Sequence, residues 1–86
     1  MDQKEVMKGI ETILKEKIGI NLEKELTEDI QLHKEGLSLD SVMLLELVVE
    51  LELMYDIEID EEELNEENFT TIGNLTKFIS NKVSAE

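Results

Sequence analysis

Residues 36–55, GLSLDSVMLLELVVELELMY, set one aspartate and one serine at the mouth of a long apolar helix. Asp40 and Ser41 are residue types that favour helix N-termini, where a short polar side chain accepts an otherwise unpaired backbone N–H. From Ser41 to Tyr55 the helix would span about 22 Å at ~1.5 Å per residue. Steps of about 100° sort its side chains into two sectors. Leu44, Leu47, Val48, Leu51 and Tyr55 face one way, toward a core. Val42, Leu45, Glu46, Val49, Glu50 and Leu53 face the other way, as a mixed apolar and acidic strip that begins beside Ser41. A helix that is apolar nearly all round is usually buried on both sides. A chain of 86 residues has too little protein for that. The second strip is therefore expected to dock onto something else, and Ser41 is the expected place of chemistry.

Outward from this helix, Val6, Ile10, Ile13, Leu14 and Ile18 recur at spacings of three and four, which predicts a first helix over about 2–18 stopped by Gly19. Asp2 and Glu5 resemble a capping box at its start. Residues 19–39 lose the period but keep Ile20, Leu22, Leu26, Ile30, Leu32, Leu37 and Leu39, so a long loop lying on the core is expected, with a short helical turn near 22–27. Asp60-Glu61-Glu62-Glu63 opens a short third helix over about 60–66, anchored by Leu64, with its acids where the helix dipole favours them. Ile72, Leu75, Phe78, Ile79 and Val83 predict a last helix over about 70–83, capped by Thr70 or Thr71. There is no proline and no internal repeat, and only 55–59 alternates like a strand. The fold expected is all-α: a small four-helix bundle of three main helices and one short one, a single domain over 1–86 with a long loop between the first and second helices.

Twenty-two acids against eight lysines give a net charge of −14. Such a charge repels phosphate backbones and anionic membranes, which argues against nucleic-acid and membrane partners, and it favours basic patches on other proteins. The N-terminal segment alternates charged and apolar residues, and no run approaches the ~18 apolar residues of a membrane helix. A soluble, cytoplasmic monomer is expected. Without cysteine the chain has no thiol of its own, so thiol chemistry would have to be borrowed.

Intrinsic catalysis has little to work with. His33 sits in the loop, and a triad of Ser41, His33 and Asp40 would need nearby loop side chains to converge on one another. Asp56, Glu58, Asp60, Glu62 and Glu67 fall on positions 1, 3, 5, 7 and 12 of a calcium-loop template. Position 6 of that template turns on glycine, and here it is Glu61. No metal site is expected.

The arrangement resembles the acyl carrier protein family, including the peptidyl and aryl carriers of polyketide and nonribosomal pathways. The likeness rests on the first apolar stripe, the long loop, Gly36 before Leu39-Asp40-Ser41-Val42, the helix to Tyr55, the Ile57 and Ile59 connector, the short acidic helix and Thr70-Thr71-Ile72. It implies that Ser41 carries 4′-phosphopantetheine, transferred from coenzyme A by a phosphopantetheinyl transferase with magnesium needed only for that step. It implies that Asp40 caps the helix and presents the serine. It further implies a non-enzymatic carrier that holds acyl, aryl or aminoacyl groups as thioesters and delivers them to ligases or synthases with basic docking patches. The strip of Val42, Leu45, Glu46, Val49, Glu50 and Leu53 would meet those partners.

Two departures bear on the pathway. Residue 42 is valine where many members have leucine, and Met43 stands where fatty-acid carriers commonly have an acid. The front of the strip is oilier for it, which favours a specialised pathway of polyketide, nonribosomal-peptide or siderophore type, with fatty-acid synthesis the other pathway that the resemblance implies. The alternative from another class is an acidic helical adaptor that binds a basic protein without any prosthetic group.

Overall fold

The computed structural model describes residues 2–22, 26–32 and 36–85. Helix α1 covers Gln3–Thr12, with the Asp2 carboxylate accepting the Lys4 N–H at 3.0 Å. The helix expected to run on unchanged to residue 18 widens into a π-helical segment, Ile13–Ile18, closed by Gly19 at φ 85°. The Leu14 carbonyl accepts the N–H groups of both Gly19 and Ile20, the latter at 2.8 Å. That wide closure keeps Ile13 and Leu14 buried while the chain turns away.

Helix α2 covers Ser41–Tyr55 and ends on Asp56 in the left-handed region, φ 53°. Glu52 secures the exit: its carbonyl accepts the Ile57 N–H at 3.2 Å and its carboxylate the Ile59 N–H at 2.9 Å. Ile57 and Ile59 are thereby buried, one alternation apart, without forming a strand.

The short helix expected over 60–66 is a single 3-10 turn, Glu61–Glu63. Two asparagines explain the early stop, since their amides take backbone partners that a longer helix would use. Asn65 donates to the Glu62 carbonyl at 3.2 Å and accepts the Asn68 N–H at 2.9 Å, while Asn68 donates to the Glu63 carbonyl at 3.0 Å. Helix α3 covers Ile72–Ala85 and is capped by Thr71, whose hydroxyl accepts the Asn74 N–H at 3.1 Å. Thr70 instead turns its hydroxyl back to the Glu66 carbonyl.

α1 packs on α3, and the π-helical segment packs on α2. Val6, Ile10, Leu14, Leu32, Leu47, Leu51, Ile72, Leu75 and Ile79 are fully buried where these elements meet. The loop between α1 and α2 is stitched to the start of α3 by an isolated antiparallel bridge between Gln31 and Thr71, with Ile72 N–H to Ile30 O at 2.8 Å and Gly73 N–H to Glu28 O at 2.9 Å. Leu26, Leu32 and Leu39 are consequently core residues although they lie outside any helix. The turn expected near 22–27 falls partly on residues outside those described, as does His33. The architecture is a small all-helical bundle of three main helices and one 3-10 turn, with no strand among the described residues.

Candidate functional site

Ser41 is the first residue of α2 and is exposed. The preceding loop sets it there. The Leu39 side chain is buried and its N–H donates to Leu32 O at 2.9 Å, so the chain is pinned one residue before Asp40. Asp40 then does double duty: its carboxylate accepts the Met43 N–H at 2.9 Å and its carbonyl the Leu44 N–H at 2.9 Å. Helix geometry leaves the N–H groups of Ser41 and Val42 without intrahelical acceptors. In a chain of charge −14, the first turn of α2 nevertheless contains no acid, whereas the 3-10 turn starts with three. Beyond the Asp40 cap, free N–H groups and the positive end of the helix dipole suit a phosphate on Ser41.

A groove of about 370 Å³ opens beside Ser41. Leu44, Leu45 and Val48 of α2 form one side, and Leu64, Asn65, Glu66 and Phe69 form the other. Its lining is mainly apolar. Spacing puts Leu44 and Val48 on the core face, and both also line this groove. The far wall has no signature in the sequence, because it depends on where the turn after Glu63 comes to rest.

The second sector of α2 is open to solvent. Val42, Leu45, Val49 and Leu53 are 65%, 57%, 51% and 73% exposed, a continuous apolar stripe at spacings of three and four. Glu46 is exposed and Glu50 half-buried beside it. Lys17, from the π-helical segment, joins Val42, Leu45, Glu46, Val49 and Glu50 around a shallow depression, so this strip includes a cation that spacing along α2 alone does not reveal.

Among the described residues no three acids or histidines converge in a way that could hold a metal ion, including those of the calcium-like run. Among the described residues, two acids have carboxyls held below the usual range. Glu63 is lowered by the Asp60 N–H first and by Lys82 next, and exposed Asp29 is lowered by the Thr27 hydroxyl. The Tyr55 phenol is pushed up by burial and by the nearby Glu5 charge, and it donates to the Val6 carbonyl at 3.4 Å, which ties α2 to α1. None of these three groups lines the groove beside Ser41. No helix among the described residues is long and apolar enough to cross a membrane.

Comparison with known proteins points the same way. The family model described as a phosphopantetheine attachment site matches residues 8–79. The chain is 32% identical over 85 residues to an acyl carrier protein of Thermosynechococcus vestitus, covering 99% of this chain and 100% of that protein. It is 37% identical over 75 residues to one from Saccharopolyspora erythraea, covering 87% and 75%, and 28% identical over 81 residues to one from Thermotoga maritima, covering 94% and 95%. The chain belongs to the acyl carrier protein family, whose members are typically carriers and not catalysts.

Proposed function

We propose that Ser41 is the attachment point of 4′-phosphopantetheine and that the protein shuttles an apolar acyl group between enzymes of a specialised pathway. The observation that carries this reading is an exposed serine at the N-terminus of α2 in a first turn free of acids, with an apolar groove at its side. In the transfer, the Ser41 hydroxyl oxygen would attack the phosphoanhydride of coenzyme A, lose its proton and release adenosine 3′,5′-bisphosphate, with magnesium needed for that step alone. Once attached, the group supplies the thiol that the chain lacks, and cargo is held as a thioester. The protein's own residues position the group. Asp40 closes the first turn and so fixes the direction of the serine. The α2 dipole favours the phosphodiester. Tethering raises the effective concentration of cargo at each active site on which the carrier docks.

Docking would use the exposed stripe of Val42, Leu45, Val49 and Leu53 with Glu46 and Glu50 at its edge, against a partner with an apolar floor and basic rim. The transferase and the acyl-handling enzymes are partners of this kind. An acid-free first turn supports enzymes that read shape and apolar area before charge, and so supports a specialised pathway.

Intact mass after incubation with coenzyme A, magnesium and a broad-specificity phosphopantetheinyl transferase tests the reading. A gain of one phosphopantetheinyl unit, absent in Ser41→Ala, is the expected result. A folded protein that gains nothing from more than one transferase class would overturn it in favour of a noncovalent acidic adaptor.

A further inference from the structure

The far wall of the groove beside Ser41 has little backbone structure of its own. Leu64 follows a single 3-10 turn, and the segment from there to Phe69 is a series of turns. Its backbone bonds are local, Leu64 N–H to Glu61 O at 3.1 Å and Phe69 N–H to Asn65 O at 3.2 Å, and the side chains that tie it to α3 meet at Glu63. One oxygen of its carboxylate accepts the Asp60 N–H at 2.9 Å and also lies 2.9 Å from Lys82 Nζ. The Glu63 carbonyl accepts from Asn68 at 3.0 Å.

Lys82 comes from α3. Its ammonium also stands 5.9 Å from the centre of the Phe78 ring, and that ring is 6.0 Å from Phe69 at an interplanar angle of 59°. One cation is thus connected to both ends of the wall, directly at Glu63 before Leu64 and through two aromatic rings at Phe69. A lone exposed ion pair contributes little to stability. This one is partly shielded, with side chains 24% and 30% exposed, and shares its acceptor oxygen with a turn-closing N–H.

We propose that Lys82 is a positioning residue, which holds the Leu64–Phe69 wall against α2 and so sets how well an apolar acyl group is shielded beside Ser41. The inference rests on the carrier reading above. Cargo entering the groove must lie between Leu44, Leu45 and Val48 on one side and Leu64 and Phe69 on the other. A wall released from α3 parts from α2 more often and exposes the thioester to solvent.

The test uses Lys82→Met, which keeps the apolar stem, and Lys82→Arg, which keeps the charge. In the unmodified protein, amide exchange at Leu64, Asn68 and Phe69 should be about three- to tenfold faster in Lys82→Met, as expected when a networked ion pair is lost from a locally opening segment. It should be parental in Lys82→Arg and unchanged at Val48 and Leu75 in both. The parent and variants are then loaded from octanoyl- and acetyl-coenzyme A, and thioester cleavage by hydroxylamine is followed by mass. Lys82→Met should cleave faster as the octanoyl form, with acetyl forms alike. Unchanged exchange at the wall, faster exchange spread over the whole chain, or equal octanoyl cleavage overturns the role of Lys82 while leaving the carrier reading intact. A parent that takes no octanoyl-phosphopantetheine from more than one transferase class overturns both.

Discussion

Asp40 Oδ1 accepts the backbone N–H of Met43 at 2.9 Å, so the residue before the candidate attachment serine closes the first turn of α2. Removing that cap by Asp40→Ala should cost about 1 kcal/mol, the usual loss for an N-cap carboxylate. Asn caps as well as Asp, so Asp40→Asn should retain nearly all of the stability. Urea unfolding of both variants checks this. Equal losses would mean that the charge matters and the hydrogen bond does not.

Gly36 precedes this cap where the loop doubles back on itself. A Cβ built there would sit 1.8 Å from the Gln31 carbonyl oxygen, a backbone atom that also accepts the Leu37 N–H at 2.8 Å. Gly36→Ala should destabilise by about 1–3 kcal/mol, the range for forced overpacking. Its urea midpoint should fall with little change in slope, and a midpoint equal to that of the parent would show that Gly36 can move away from Gln31 freely.

Thr76 is 2% exposed on α3 and its hydroxyl has no hydrogen-bond partner among the described residues. Burying an unsatisfied hydroxyl costs roughly 1–3 kcal/mol. Thr76→Val keeps the shape and removes the cost, so calorimetry should show a higher Tm, by about 4–8 °C for each ~1 kcal/mol recovered in a domain of this size. A lower Tm would indicate that the hydroxyl is satisfied in solution.

The Glu63 carboxyl is held below its ordinary 4.5 by the Asp60 N–H and by Lys82. A carboxyl lowered on folding contributes stability that is fully present above its unfolded value and is lost as pH falls through its folded value. The stability difference between the parent and Glu63→Gln should therefore be constant from neutral pH down to about pH 5, shrink below the ordinary carboxyl range and vanish once Glu63 is protonated in the folded protein. Urea unfolding at a series of pH values measures it. A difference that persists unchanged to the lowest pH would assign the effect to packing.

A net charge of −14 on 86 residues opposes the compact state. Raising sodium chloride from about 0.01 M to about 1 M shortens the Debye length from ~30 Å to ~3 Å. Tm should climb steadily across that titration, and millimolar magnesium should raise it at lower ionic strength. A flat profile would mean that the acids are already spaced too widely to repel.

Much of the bundle was legible in advance because burial on a helix has a period. Val6 and Ile10 in α1, Ile13 and Leu14 in the π-helical segment, Leu47, Val48 and Leu51 in α2, and Ile72, Leu75 and Ile79 in α3 all fall on the stripes their spacing draws, and all are buried. The short third element was less legible. Asp60 and Glu63 mark a helix start correctly, since Glu63 reaches back to the Asp60 N–H, but nothing in the apolar pattern announces that Asn65 and Asn68 divert the backbone one turn later. The candidate site was half visible. Asp40 and Ser41 stand out at a helix mouth, whereas Leu64 and Phe69 have no periodic relation to them.

The sequence by itself determined where the three main helices lie, that a serine opens α2 behind a capping acid, and that α2 has a second apolar face. These follow from local propensity and periodicity, which act over neighbouring turns. Only the tertiary structure decided that the segment after Glu63 folds back along α2 to make a groove at Ser41, that Lys17 joins the exposed strip, and that Lys82 reaches Glu63 across 19 positions of sequence. Those relationships arise when separate helices settle against one core, and contacts between residues distant in the chain leave no period to read.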